Sequence, residues 1–151
     1  MRVWRLCARR HATPDGEGAQ LFGGRWNSPG FPVIYTSATL SLATLECLVN
    51  LDSDLLPEDL VALSADIPSQ ITIQSITRTD LPANWQLYPA PDTLQAIGTT
   101  WASTHHTVIL SVPSVVIPEE RNYLLNPSHP DVGQIHWNAP EPFRFDPRLH
   151  S

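Results

Sequence analysis

Apolar residues along this chain recur at two spacings, and the switches between them mark its elements. Arg2 to Cys7 alternates, with Trp4 and Leu6 on one side and Arg5 between them, which predicts a first strand. His11 to Gln20 is polar and reads as a loop. Val33 to Thr36 is a short apolar run with strand character. Leu42, Leu45 and Val49 then fall at helical spacing, with Ser37 as the expected N-cap. Leu55 to Glu58 is a connector. Val61, Leu63, Ala65 and Ile67 alternate with Ala62, Ser64 and Asp66, the pattern of a half-buried strand, and Pro68 ends it. Ile71 to Ile76 is a second, weaker strand, and Asp80 to Pro91 an ordered loop around Trp85. A helix follows, with Asp92 as cap, Gln95 at capping-box spacing, and a stripe of Leu94, Ile97 and Trp101. Val108 to Val112 is a strand, Ser114 to Ile117 continues extended, and Asn122 to Leu125 is another strand. Asn126 to Asp131 is dense turn chemistry, and Phe143 and Phe145 mark a last short strand. Strands outnumber helices without alternating strictly with them. That predicts an α+β fold with a mixed, largely antiparallel sheet, in a single domain over 1–151.

Composition narrows the function more than the fold. No apolar run approaches the ~20 residues of a membrane span, so no membrane contact is expected. MRVWRLCARRH lacks the apolar centre of a signal peptide, which makes a cytoplasmic location the expectation. Cys7 and Cys47 are too few for a disulfide scaffold and are expected to be reduced, buried thiols. The net charge is −6, and the nine basic residues are all arginines. Without lysine, Walker-type phosphate binding and Schiff-base catalysis are excluded. The acidic balance argues against direct nucleic-acid binding. None of the six histidines stands at metal-ligand spacing, so no metal site is expected.

Leu21 to Asn50 concentrates the candidate chemistry. Arg25 follows Gly23-Gly24, where backbone can approach a ligand closely, and its planar fork suits a diphosphate. Tyr35 reads either as a strand tyrosine with its hydroxyl at the rim or as a stacking platform for a flat heterocycle. Glu46 lies about 40° around the helix from Leu42. That places it at the edge of the predicted stripe, partly desolvated, with Arg25 as the natural compensating cation. Ser114 lacks a surrounding GxSxG and reads as a serine satisfied near a proline break.

Five separated motifs carry a resemblance: GGRWNSPGFPVIYTS, SLATLE, LSVPS, ERNYLLNPSHPD and PFRFDPRL, in that order, resemble the RES domain family. The resemblance implies a fold like that of ADP-ribosyltransferases and diphtheria-type toxins, with a split sheet around an NAD⁺ cleft. It places the family's arginine on Arg25, its tyrosine on Tyr35 and its glutamate on Glu46, and its serine on Ser114 or the nearby Ser111. Gly24 and Asn27 join Arg25 and Tyr35 as the implied NAD⁺-binding residues. The implied function is the toxin of a toxin–antitoxin pair that cleaves the nicotinamide–ribose bond of NAD⁺ by hydrolysis or phosphorolysis and arrests growth. ADP-ribosylation of one host protein and a non-catalytic partner-binding module are the alternatives. NAD⁺ enters as a consumed substrate, with no cofactor. The implied partner is an Xre-like helix-turn-helix antitoxin, through which alone the complex would meet DNA, and toxin self-association within that complex is compatible with it.

Overall fold

The computed structural model describes residues 1–51 and 58–149. Most of the connector expected at Leu55 to Glu58 lies outside them. Eight strands are described: β1 Arg2–Ala8, β2 Ile34–Ser37, β3 Leu60–Asp66, β4 Ile73–Ser75, β5 Ile109–Pro113, β6 Arg121–Leu125, β7 His136–Trp137 and β8 Glu141–Pro142. Three α-helices accompany them: α1 Glu17–Phe22, α2 Leu40–Asn50 and α3 Asp92–Thr104. The strands form one sheet in the order β4-β5-β6-β2-β1-β3-β7, with β8 also pairing β3. Only β4 and β5 run parallel; the other pairs are antiparallel. The fold is α+β. The ladder between β1 and β3 runs from Arg2↔Asp66 to Ala8↔Leu60, whereas β1 and β2 meet at Trp4↔Ser37 alone. The sheet is split at that joint, and α2 packs on both β1 and β2 across it.

Period-two alternation sends side chains to two cores. Val33, Leu110, Val112 and Leu124 face a cluster with Trp26, Trp85 and the Leu94 and Trp101 stripe of α3. Ile34, Ile109 and Leu125 face the other side, with Val3, Ala65 and Ile135. β3 is therefore buried on both faces from Leu60 to Ala65, not half-buried as its alternation predicts. The C-terminal segment folds back over it: β7 and β8 pair with β3, and Asn138 donates to Ser64 Oγ at 3.0 Å.

Several boundaries differ from expectation for local reasons. The polar stretch before Leu21 ends in a helix, α1, too short for an apolar period to show. The N-cap of α2 is Thr39, whose side chain accepts from the Leu42 N–H, while Ser37 stays in β2 and donates to Asn122 Oδ1 at 2.8 Å. α3 is entered from Pro91 with no side-chain cap, and Gln95 is committed elsewhere. Ser114 to Ile117 is a bend rather than an extension of β5, folded so that the Ser114 hydroxyl accepts from the Val116 and Ile117 N–H groups. The final strand is β8; Phe143 and Phe145 follow it and pack edge to face at 5.5 Å. Cys7 and Cys47 are free and half-buried, and burial pushes the Cys47 thiol up, as does the neighbouring Cys7.

Candidate active site

Three adjacent strands change character at the same end of one sheet face. Leu110, Leu124 and Tyr35 stand in one cross-strand row, and Val112, Asn122 and Ser37 in the next. Ser114 follows one step beyond Val112. The apolar core thus gives way to a polar patch built by register alone. α2 starts directly after β2 and lowers Glu46 onto this patch.

The inward face of α2 is not the stripe expected from Leu42, Leu45 and Val49. Leu42 and Ala43 are the buried residues, and Leu45 and Val49 are exposed. At about 100° per residue, Glu46 falls between Leu42 and Ala43, in the middle of the inward face rather than at its edge. Its carboxylate is held through one oxygen. Oε1 accepts from Ser114 Oγ at 2.7 Å and from Asn122 Nδ2 at 2.8 Å. Among the described residues no donor reaches Oε2. Ser114 is fully buried, and it is Ser114 that meets Glu46; Ser111 accepts from Arg121 Nε at 2.9 Å on the far side of β5.

Arg25 sits on a loop clamped from both sides. From α3, Gln95 Nε2 donates to the carbonyls of Gly24 and Asn27 at 3.1 and 3.2 Å, and Thr99 Oγ1 accepts from the Ser28 N–H at 3.0 Å. Gly98 lets the loop lie on the helix: a Cβ there would stand 1.7 Å from the Trp26 carbonyl oxygen. From β2, the Tyr35 hydroxyl donates to Asn27 Oδ1 and accepts from the Trp26 N–H. A Cβ at Gly24 would meet that hydroxyl at 2.7 Å, so this glycine admits Tyr35. Burial raises the Tyr35 phenol well above its ordinary range; the Trp26 N–H and the Arg25 charge act against the shift. Asn27 is fully buried, and its amide donates to the Ala19 and Phe31 carbonyls at 2.8 and 3.0 Å. Its side chain therefore holds the loop.

The Arg25 guanidinium is seated on backbone. Nη1 donates to the carbonyls of Trp85 and Leu87 at 3.0 and 3.2 Å, and Nη2 and Nε make no bond among the described residues. Burial lowers its pKa, while the negative potential of Glu46, Tyr35 and Tyr88 pulls it back up. Arg25 and Glu46 thus feel each other without forming a contact ion pair among the described residues. The carboxylate itself is held by two neutral donors, Ser114 and Asn122.

Sequence reasoning missed Asn122 and Gln95. Asn122 was legible in principle: its position two residues before Leu124 puts both on one face of β6. Gln95 carried no such signal, because its partners are loop carbonyls about 70 residues away. Two grooves lie elsewhere: one of about 660 Å³ beside the outer face of α3, including Thr93, Thr100 and His106, and one of about 360 Å³ between Arg9 and Arg144. No group of three His, Cys, Asp or Glu side chains gathers to hold a metal, and no helix is long and apolar enough to cross a membrane, among the described residues.

Comparisons with known proteins converge. A family model described as the RES domain matches residues 2–146. The Prs ADP-ribosylating toxin of Sphingobium sp. (strain YBL2) is 36% identical over 152 residues, 97% of this chain and 94% of that protein. A Toxin Res of Yersinia enterocolitica is 39% identical over 155 residues, 99% of each chain. A Toxin Res of Photorhabdus laumondii is 43% identical over 135 residues, 87% of this chain and 85% of that one. A chain from the crystal structure of the M. tuberculosis MbcT–MbcA toxin–antitoxin complex superposes with a TM-score of 0.76 over 99% of this chain and 86% of its own, at 20% identity, a likeness of fold.

Proposed function

This chain belongs to the RES domain family, and from that premise we propose that it is the toxin of a toxin–antitoxin pair and cleaves the nicotinamide–ribose bond of NAD⁺. The observation that carries the reading is Glu46, anchored through one oxygen by Ser114 and Asn122 within electrostatic reach of a backbone-seated Arg25. Breaking this bond builds positive charge on the ribose as the cationic nicotinamide leaves as a neutral molecule. A fixed carboxylate beside the ribose stabilises that oxocarbenium-like state, and its second oxygen suits a ribose hydroxyl. Arg25 has donors left for the diphosphate and would orient the scissile bond. Tyr35 offers its ring to the nicotinamide and holds the Arg25 loop through its hydroxyl. NAD⁺ is consumed, and the step uses no cofactor. With water as acceptor the products are ADP-ribose, nicotinamide and a proton; with phosphate, ADP-ribose phosphate.

A second acceptor is favoured by one finding. The relative from Sphingobium is named an ADP-ribosylating toxin, so transfer to a host protein is the alternative fate of the same ribosyl cation. In either case the partner is an Xre-like helix-turn-helix antitoxin, which alone supplies contact with DNA. The test is to incubate the purified protein with adenine-labelled NAD⁺, with and without phosphate and cell extract, and to follow the label. Label in ADP-ribose or its phosphate supports depletion, and label on one protein band supports transfer. Glu46→Gln, folded and still binding NAD⁺, is expected to lose on the order of 10²–10³ in rate. Intact NAD⁺ in every arm, or full turnover by Glu46→Gln, would sink the reading.

A further inference from the structure

We propose that Asn122 is a positioning residue for this reaction: it selects which oxygen of Glu46 is tied down and which is presented to substrate. The inference rests on the NAD⁺-cleavage reading above, but its geometry stands apart from that reading. A carboxylate in its working, ionised form can only accept, so the Asn122 amide must turn its NH₂ to Glu46 Oε1 and its carbonyl to the Ser37 hydroxyl, which donates to it at 2.8 Å. The Ser114 hydroxyl has one proton. Its oxygen already accepts from two N–H groups, so that proton goes to Oε1 as well. Both donors therefore have a forced direction, and both converge on one atom. Register places Asn122 opposite Ser37 on one side and Val112 on the other, which sets its amide between the Ser37 hydroxyl and Glu46. Oε1 is saturated, and no donor among the described residues reaches Oε2.

This arrangement aims a carboxylate without a contact cation. The charged group within electrostatic reach of it is Arg25 from the loop; its hydrogen-bond partners among the described residues, Ser114 and Asn122, are both neutral. Asn122→Asp is the informative change because it is nearly isosteric. It replaces the donor by a second carboxylate facing Oε1, and two carboxylates at hydrogen-bond distance share one proton. Asn122→Ala removes the donor and adds no charge.

The experiment compares the parent protein with both variants by thermal melting, calorimetric NAD⁺ binding, turnover against pH, and carbon NMR titration of glutamate carboxyls. Glu46→Gln assigns the Glu46 signal. Asn122→Ala is expected to melt as a folded protein, bind NAD⁺ as before, and lose about ten- to a hundredfold in kcat with little change in KM. In Asn122→Asp the acid limb of the pH profile and the Glu46 signal are expected to move up together, by about one pH unit or more, with activity returning as pH rises. Parent-like profiles and titrations in both variants would overturn the proposal. Loss of fold in both would mark a merely structural role and overturn it too. If the parent itself consumes no NAD⁺, the functional reading fails, and the Glu46 titration still decides the role of Asn122.

Discussion

Tyr35 shows how far a single residue could be read in advance. Its strand position and half-buried ring follow from the apolar run around it, but the target of its hydroxyl does not. That hydroxyl closes a loop eight or nine residues away by bonding Asn27 and the Trp26 N–H, and the loop's path is set by α3. Tyr35→Phe keeps the ring and orphans two buried partners, at a cost of about 1–3 kcal/mol. The expected outcome is a lower melting temperature and weaker NAD⁺ binding, measured by calorimetry, as Arg25 loosens. The alkaline side has a definite sign. The folded phenol is raised by burial, so its contribution is fully present below the unfolded value near 10 and is lost as pH climbs beyond it. Urea midpoints measured from neutral pH upward should fall less steeply above pH ~10 in Tyr35→Phe than in the parent. An equal slope in both would exclude Tyr35 as the titrating group. Ser114 and Glu46 were likewise visible as residues, while their bond spans 68 positions and needed the bend after β5.

At the scale of elements, β1 to β6 and the two longer helices were legible from their periods, whereas the two-residue β7 and β8 are too short to show one. What was not legible was how elements press on one another. α2 turns Leu42 and Ala43 inward and leaves Leu45 and Val49 exposed, with Glu46 on the inward face between the first two. Gly98 is the sharpest case. As a glycine inside α3 it weakens the helix by about 1 kcal/mol relative to alanine, yet the Trp26 carbonyl occupies the place of a Cβ. Gly98→Ala is therefore expected to destabilise by about 1–3 kcal/mol despite better propensity, and to reduce NAD⁺ binding by displacing the Arg25 loop. Gly18 in α1 has nothing within 4 Å of its would-be Cβ. Gly18→Ala should stabilise by about 0.5–1 kcal/mol. Urea denaturation of the pair checks both signs, and a stabilised Gly98→Ala protein would refute the clamp.

For the whole molecule, the surface beside Arg25 bears on the partner. Phe22 and Tyr88 are 83% and 88% exposed, and Leu21 and Leu87 are also exposed. Leu87 and Tyr88 adjoin the seat of Arg25, and Phe22 precedes it by three residues. We predict that the antitoxin covers this rim and points its C-terminal carboxylate at the spare donors of Arg25. Deleting the last few antitoxin residues should weaken binding and release NAD⁺ loss. Tight binding with full protection after truncation would show that inhibition works another way. The split in the sheet was expected from the family resemblance, but its location could not be read from any local pattern, since a single Cα pairing leaves no signature. That joint, Trp4↔Ser37, has a mechanical meaning. A sheet fastened at one point would behave as two plates on a pin, and α2, which packs on both, would be the splint that limits their rocking. Glu46 rides on the splint while Ser114 and Asn122 ride on one plate. Strain applied on the β1 side, far from any ligand, would then reach the chemistry as a change in aim. Faster amide exchange at the pin than along the β1–β3 ladder is where such rocking would register, and uniform protection across both would mean the plates move as one.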